Sequence, residues 1–169
     1  MLNDSGDRTE YPTGAVRDMK KGKGRCDLLP LDIITNFLLS FANKDEEEAT
    51  ACTLLCLLNR YIKSNQINKL YNILEYTRCR MFDDVFTMIL ELAKHFEEGA
   101  EKYGIANWKK GIPEWSYIDS AIRHLLKWAR GDEDERHDRA FVWNIVCLIW
   151  TVENKGENNE SNNNIDSIN

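Results

Sequence analysis

The segment FDDVFTMILELAKHFEEGAEKY, residues 82–103, is the longest stretch of the chain with helical periodicity. Its large apolar side chains recur at intervals of three and four residues, which places them on one face of a helix. This apolar stripe consists of Val85, Met88, Ile89, Leu92 and Phe96. Gly104 follows directly and suits the end of a helix, because glycine adopts the backbone conformations that terminate one. The segment predicts a long amphipathic helix, and such a helix needs other helices or a sheet to cover its apolar side.

The rest of the chain predicts more helices and no strands. Apolar residues at helical spacing, with capping or breaking residues at the ends, indicate five further helices over residues 31–44, 45–63, 66–78, 115–130 and 134–153. We expect an all-α helical bundle over residues 31–153. Residues 1–30, rich in glycine and basic side chains, are predicted to form an extended arm, and the Asn-rich residues 154–169 are predicted to be disordered.

Composition excludes several classes of protein. The formal net charge is −6 and the isoelectric point is near 5.2, which makes nucleic-acid binding an unfavourable interpretation. No apolar run reaches the length of a membrane span, and the polar N-terminus does not have the pattern of a signal peptide, so we expect a cytoplasmic protein with no membrane partner. The five cysteines have no CxxC spacing, which indicates reduced thiols and makes a structural zinc site unfavourable, although a catalytic Cys–His pair stays open.

Three carboxylates are concentrated near the end of the longest helix. Glu97, Glu98 and Glu101 fall within an arc of roughly 100° on a helix, where like charges three and four residues apart repel each other. A hard divalent cation prefers oxygen ligands and would remove that repulsion. A solvated acidic helix face is the alternative interpretation, and for so short a motif alone it is the more common outcome.

The segment after this cluster supplies complementary side chains. The loop around Asn107 and Trp108 is rich in basic residues, and the next helix offers Asp119, Arg123 and His124 within six positions. Asp119 is the best candidate for a further metal ligand from a second helix, with Arg123 then free to bind a phosphate. The alternative is an ordinary ion pair between Asp119 and Arg123, four residues apart on one helix face.

A second basic segment lies near the N-terminus, where two glycines are interleaved with five basic side chains: Arg17, Lys20, Lys21, Lys23 and Arg25. Basic side chains beside glycine-rich backbone can close over phosphates, although the P-loop pattern is absent. The alternative is a mobile basic arm without a ligand, which composition alone favours.

Three blocks of the chain, taken in order, are similar to a known family. They are SGDRTEYPTGAVRDMKKGKGRCDLLP (5–30), ELAKHFEEGAEKYGIANWKKGIPEWSYIDSAIRHLLKW (91–128) and GDEDERHDRAFVWNIVCLIWT (131–151). With its EExxE motif at Glu97, Glu98 and Glu101, the chain resembles the MazG-like all-α nucleoside triphosphate pyrophosphohydrolases. More specifically, it resembles their phage-associated dATP/dGTP diphosphohydrolase branch. The blocks cover about half of the chain, and residues 31–90 carry no comparable resemblance.

The resemblance implies a catalytic metal site for Mg²⁺ or Mn²⁺, with the ligands Glu97, Glu98, Glu101 and Asp119. The wider family continues its motif with ExxD on the next helix, but Ser116 stands where that glutamate is expected. Reserve candidates therefore come from the segment that precedes the last helix: Asp134, Glu135, His137 and Asp138. Their alternative role is to complement the dipole at the helix N-terminus.

The implied reaction cleaves a purine deoxynucleoside triphosphate, dGTP or dATP, to the monophosphate and pyrophosphate, which would shape the nucleotide pool of a phage-infected cell. The candidate substrate-binding residues are Asn107, Trp108, Lys109, Lys110, Arg123, His124, Arg17, Lys23 and Arg25. A homodimer or homotetramer is expected, because such bundles build their sites from more than one subunit. Two alternatives stay open: a non-catalytic helical interaction module, and a hydrolase of another nucleotide or polyphosphate.

Overall fold

The computed structural model describes residues 8–18, 22–40 and 45–154, and it is mostly helical, as the sequence predicts. The six helices are α1 (Leu31–Leu39), α2 (Glu46–Ser64), α3 (Asn68–Met81), α4 (Val85–Tyr103), α5 (Glu114–Arg130) and α6 (His137–Glu153). A short hairpin of β1 (Arg8–Glu10) and β2 (Val16–Asp18) precedes them. Single turns of 3₁₀ helix lie at Cys26–Leu28 and Asn107–Lys109. The predicted disordered tail, apart from Asn154, lies outside the described residues, as do Lys20 and Lys21.

Local sequence signals explain where the helices begin and end. The Asp45 and Asp84 carboxylates accept hydrogen bonds from backbone N–H groups in the first turns of α2 and α4, respectively. Gly131 ends α5 at a φ of +79°, a left-handed conformation that other residues adopt at a cost. The last helix begins at His137 and not at residue 134, so Asp134 and Glu135 belong to the loop that joins α5 to α6.

The core is built around the pair α5 and α6, with α2 and α3 packed beside them. Its fully buried large side chains include Leu54, Leu58, Tyr117, Phe141 and Ile145. Burying one side chain of this size contributes about 1.5–3 kcal/mol, which makes this pair of helices the rigid centre of the fold. No helix of the described residues is long and apolar enough to cross a membrane.

The apolar stripe predicted for α4 does not lie wholly in the core. Phe96 packs against the core, but Val85 and Ile89 are exposed. The periodicity located the helix correctly, yet it could not show that only the second half of α4 is covered within this chain, chiefly by α6.

The hairpin is a correction to the expectation that the chain contains no strands. Arg8 pairs with Asp18, and Glu10 pairs with Val16, in antiparallel register. Each strand has only three residues, too few for an alternating pattern to stand out in the sequence. The hairpin is held by the helical body: the Tyr11 hydroxyl lies 2.8 Å from Ser116 Oγ, and the Asn107 side-chain amide bonds the backbone of Val16.

Candidate functional site

A cavity of about 560 Å³ lies between the N-terminal arm, the second half of α4, the loop after it, and α5 and α6. This volume is within the range of small-molecule binding sites. Seven of the nine predicted substrate-binding residues line it: Arg17, Lys23, Asn107, Trp108, Lys109, Arg123 and His124. The other two, Arg25 and Lys110, are not among its lining residues.

Aromatic side chains form part of the wall. Trp108 packs against Phe96 on α4, with ring centroids 5.3 Å apart, and against Trp150 on α6 at 5.1 Å. Trp143, assigned to the core from the sequence, packs against the core and also lines the cavity. Flat apolar surface of this kind suits the face of a heterocyclic ring.

Positive charge dominates the ionisable part of the wall. Six basic side chains line the cavity, against three acidic ones, Asp18, Asp134 and Glu135. The basic residues are Arg17, Lys23, Lys102, Lys109, Arg123 and Lys127. An excess of three positive charges, in a chain whose net charge is −6, is the electrostatic setting that attracts a polyanion.

Arg17 is the most firmly held of these basic groups. Its guanidinium donates to the Ser116 carbonyl at 3.0 Å and to Asn144 Oδ1 at 3.0 Å. It also lies over the rings of Tyr117 and Trp143 at 5.1 and 5.7 Å. Arg17 therefore places a fixed positive charge in the cavity wall and fastens the arm to α5 and α6.

Asp119 anchors the arm from inside the protein. Its side chain is fully buried and accepts a hydrogen bond from the Cys26 backbone N–H at 2.7 Å. It also forms an ion pair with Arg123 at 2.5 Å. Arg123 donates in turn to the backbone carbonyls of Lys23 and Gly24. The predicted pair of Asp119 and Arg123 exists, and both groups hold the arm so that Lys23 stands at the cavity wall.

Asn107 also holds the N-terminal arm in place. Its Oδ1 accepts from the Val16 N–H at 2.9 Å, and its Nδ2 donates to the Val16 carbonyl at 2.7 Å. The side chain thus continues the edge of strand β2 like a short stretch of backbone. Its predicted role in reading a base stays a prediction, and this contact gives Asn107 a positioning role.

The three predicted glutamate ligands of α4 do not line the cavity. Glu98 forms a two-oxygen contact with Arg139 of α6, at 3.0 and 2.9 Å, and Glu97 and Glu101 are exposed. The surfaces of α4 that face the cavity include Gly99 and Lys102 instead. Their role as metal ligands stays a prediction.

Potential metal-ligand atoms meet at a different place, which we call the His/acid cluster: His124, Asp134, Glu135 and His137. Among the described residues, two groups of ligand atoms lie close enough to share an ion: His124 with Glu135 and His137, and Asp132 with Asp134 and His137. Neither group includes Glu97, Glu98, Glu101 or Asp119. Three members of the His/acid cluster, His124, Asp134 and Glu135, also line the cavity.

Charge and burial set the protonation of this cluster. Burial, and then the neighbouring His137, lower the pKa of His124 well below its usual value, so the ring is neutral at pH 7. Hydrogen bonds from Lys127 and then from His137 lower the pKa of Asp134 to about 2. Imidazole nitrogens beside carboxylate oxygens are a donor set that fits a divalent metal ion.

Two of the remaining sequence candidates are held by ion pairs elsewhere. Asp138 is buried and accepts two hydrogen bonds from Arg136, at 3.0 and 2.7 Å. Arg25 pairs with Asp27 and lies over the Trp115 ring at 4.8 Å. Neither residue is among those that line the cavity.

The sequence reasoning did not single out His95, Lys102, Lys127 or Asn144, which all line the cavity. His95 is only 6% exposed, and burial, with the nearby charges of Arg139 and Arg17, lowers its pKa to about 3. A signal for two of them was present: His95, Gly99 and Lys102 follow each other at intervals of four and three residues and so share one face of α4.

A protein-family model described as dATP/dGTP diphosphohydrolase, N-terminal, matches residues 74–161, which is 88 of the 169 residues. The match includes α4, α5 and α6 and leaves the N-terminal arm outside. No curated protein matches the chain, and no solved structure matches it.

Proposed function

We propose, from the premise that the chain belongs to the dATP/dGTP diphosphohydrolase family, that its cavity binds a purine deoxynucleoside triphosphate, dGTP or dATP, and hydrolyses it. The observation that supports the proposal is a cavity of about 560 Å³, which is lined by six basic side chains and an aromatic wall. A nucleoside triphosphate is both a polyanion and a flat ring, and this wall complements both parts.

The reaction joins the oxygen of a water molecule to the α-phosphorus and breaks the bond to the oxygen that bridges the α- and β-phosphates. Pyrophosphate, the nucleoside monophosphate and a proton are the products. Lys109, Lys127 and the fixed guanidinium of Arg17 offset the negative charge of the triphosphate, which increases on the leaving pyrophosphate. A divalent cation, Mg²⁺ or Mn²⁺, held by the predicted ligands on α4 and by Asp119, would supply further charge neutralisation and polarise the attacking water.

The arm contributes to the same site by closing one side of it. Arg17 and Lys23 reach the cavity because Asn107, Ser116, Asp119 and Arg123 hold the arm. A wall that excludes bulk water strengthens every electrostatic contact to the phosphates. Such an enzyme would shape the pool of purine deoxynucleotides in the cell that contains it.

Product analysis tests the proposal. The purified chain is incubated with each deoxynucleoside and ribonucleoside triphosphate in the presence of Mg²⁺ or Mn²⁺, and the products are separated by ion-exchange chromatography. The expected products are dGMP or dAMP with pyrophosphate. Release of three phosphates, or turnover of another nucleotide, would identify a different hydrolase, and no turnover at all would indicate a non-catalytic helical module.

Two neighbouring lysines provide a matched pair of variants. Both lysines are exposed, but Lys109 lines the cavity and lies over the rings of Trp108 and Trp150, whereas Lys110 is not among the lining residues. We expect Lys109→Ala to raise KM by about tenfold, the equivalent of one charge-assisted contact. Lys110→Ala should leave KM unchanged, and equal effects would contradict the proposed position of the triphosphate.

We also propose a homo-oligomer, a dimer or a tetramer. Val85, Phe86, Ile89 and Leu90 form an exposed apolar patch on the first half of α4, with Phe86 73% exposed. Sedimentation of the wild type and of Phe86→Glu tests this. A wild-type oligomer that dissociates in the variant is the expected result, and a monomeric wild type would contradict it.

A further inference from the structure

Three ligand atoms of the His/acid cluster form a nearly regular triangle. His124 Nδ1 lies 3.1 Å from His137 Nδ1 and 3.2 Å from a Glu135 carboxylate oxygen, and that oxygen lies 3.5 Å from His137 Nδ1. Nitrogen and oxygen ligands bind a transition-metal ion at about 2.1 Å, which in tetrahedral or octahedral geometry separates neighbouring ligand atoms by about 3.0–3.4 Å. The triangle therefore has the dimensions of one face of a coordination shell.

The His137 ring is oriented so that only one of its nitrogens faces the triangle. His137 Nε2 lies 2.8 Å from an Asp134 oxygen on the other side of the ring. Nδ1 is therefore the ring nitrogen that faces His124 and Glu135.

Asp134 holds His137 in the way that a supporting carboxylate holds a metal-binding histidine. One Asp134 oxygen accepts from His137 Nε2, and the other accepts from Lys127 Nζ at 2.7 Å. A carboxylate on the far nitrogen of an imidazole fixes the ring orientation and makes the near nitrogen a better ligand. This arrangement is independent of the triangle, and it directs the His137 lone pair toward His124 and Glu135.

The fold brings these groups together on rigid supports. His124 lies within α5, His137 is the first residue of α6, and Glu135 lies in the loop between these two closely packed helices. The His137 side chain is 1% exposed, and those of Glu135 and His124 are 14% and 17% exposed. His124 and Glu135 line the cavity, so an ion here would have its remaining coordination positions on the cavity side.

We propose that the His/acid cluster is a binding site for a transition-metal ion such as Zn²⁺ or Co²⁺. The ligands are His124 Nδ1, His137 Nδ1 and a carboxylate oxygen of Glu135, and Asp134 is a positioning residue. Two imidazole nitrogens and one carboxylate favour such an ion over Mg²⁺, which prefers oxygen ligands and retains its waters. This assignment differs from the predicted site at Glu97, Glu98, Glu101 and Asp119 in residues and in metal preference.

The test measures metal binding in the absence of nucleotide, so its outcome is separate from that of the proposed hydrolysis. The untagged full-length protein is stripped with a chelator and titrated with Co²⁺ while visible absorption is recorded, and Zn²⁺ affinity is then measured by calorimetry. We expect one ion per chain, with a spectrum of nitrogen and oxygen ligands. A thiolate absorption band would instead assign the ion to a cysteine and overturn the proposal.

Four variants complete the experiment, each checked by circular dichroism. Glu135→Gln and His137→Ala should abolish the Co²⁺ spectrum, and Asp134→Asn should weaken Zn²⁺ binding by about 10–100-fold. Asp134 is not itself a proposed ligand, and its side chain is 40% exposed. Asp134→Asn therefore stays informative if His137→Ala does not fold. Glu133→Gln, at an exposed position of the same loop, is the matched control and should bind as the wild type does. No binding by the wild type, or equal binding by Glu135→Gln, would overturn the proposal.

Discussion

The end of α4 and the loop between α5 and α6 both concentrate acidic side chains within five residues, but they use them differently. On α4, Glu97 and Glu101 are exposed, and Glu98 contacts Arg139 of α6. In the loop, the chain reverses between two packed helices, so Glu135 meets histidines that come from both of them. Among the described residues, potential ligand atoms thus meet at the chain reversal, while the role of the α4 glutamates as metal ligands stays a prediction.

Replacing one carboxylate in each region tests this comparison most strongly. Glu135→Gln should weaken Zn²⁺ binding by at least about 100-fold, because loss of a ligand exceeds the 10–100-fold cost of losing a supporting residue. Glu98→Gln should bind Zn²⁺ as the wild type does. Calorimetric titration of the two metal-stripped variants decides between them, and the reverse order of the two effects would assign this ion to α4.

Asp119 extends the comparison to a carboxylate that is fully buried. In Asp119→Asn the Cys26 N–H and Arg123 keep a neutral partner, and Arg123 loses its compensating charge. We expect the free energy of unfolding to fall by about 2–3 kcal/mol, toward the range for breaking a buried ion pair. Urea unfolding in the presence of a chelator measures this stability change without a contribution from metal. If Asp119→Asn had the urea midpoint of the wild type but no longer bound metal, Asp119 would instead be a metal ligand.

The inner face of α4 should respond to pH through His95. Its pKa falls from 6.5 to about 3 on folding, so the unfolded chain binds a proton there below pH 6.5 while the folded chain does not. The contribution of neutral His95 to the free energy of unfolding is therefore present above pH 6.5 and is lost as the pH falls toward 3. Between pH 7 and pH 5 this loss amounts to about 2 kcal/mol. Urea midpoints at the two pH values should differ less in His95→Gln, and an unchanged difference would contradict the assignment.

Substitutions on the face of α4 that does not line the cavity should have the smallest effect on the free energy of unfolding. Glu98→Gln weakens the contact to Arg139, whose side chain is only 7% exposed, while Glu91 remains 3.9 Å from the same guanidinium. We expect a loss of about 1 kcal/mol in the free energy of unfolding. Glu97→Gln, at an exposed position, should change it by less than about 0.5 kcal/mol. Equal losses in the two variants would show that the pair with Arg139 does not stabilise the fold.

The sequence predicted the features that depend on neighbouring residues. Apolar spacing located all six helices, because each buried face repeats along its own helix. The basic and aromatic loop after Gly104 lines the same cavity as Arg123 and His124, since short connections bring successive helices together. Both results follow from local periodicity and short loops.

Features that depend on distant contacts could not be predicted in the same way. The hairpin is held by Asn107 and Ser116, about a hundred residues away, and its own three-residue strands carry no clear pattern. Which face of α4 meets the cavity depends on α6, so the glutamates and His95 could not be sorted into outer and inner residues beforehand. The reserve candidates Glu135 and His137 gained their partner His124 only through the reversal after Gly131.

The attachment of the arm has a consequence for the order of events during protein synthesis. Arg17 leaves the ribosome before its partner Asn144, which follows 127 residues later. At about 5–20 residues per second, the arm waits roughly 6–25 s before α6 exists to receive it. The arm is therefore translated well before it can reach its native position, and its short, charged strands leave little apolar surface exposed to other nascent chains meanwhile.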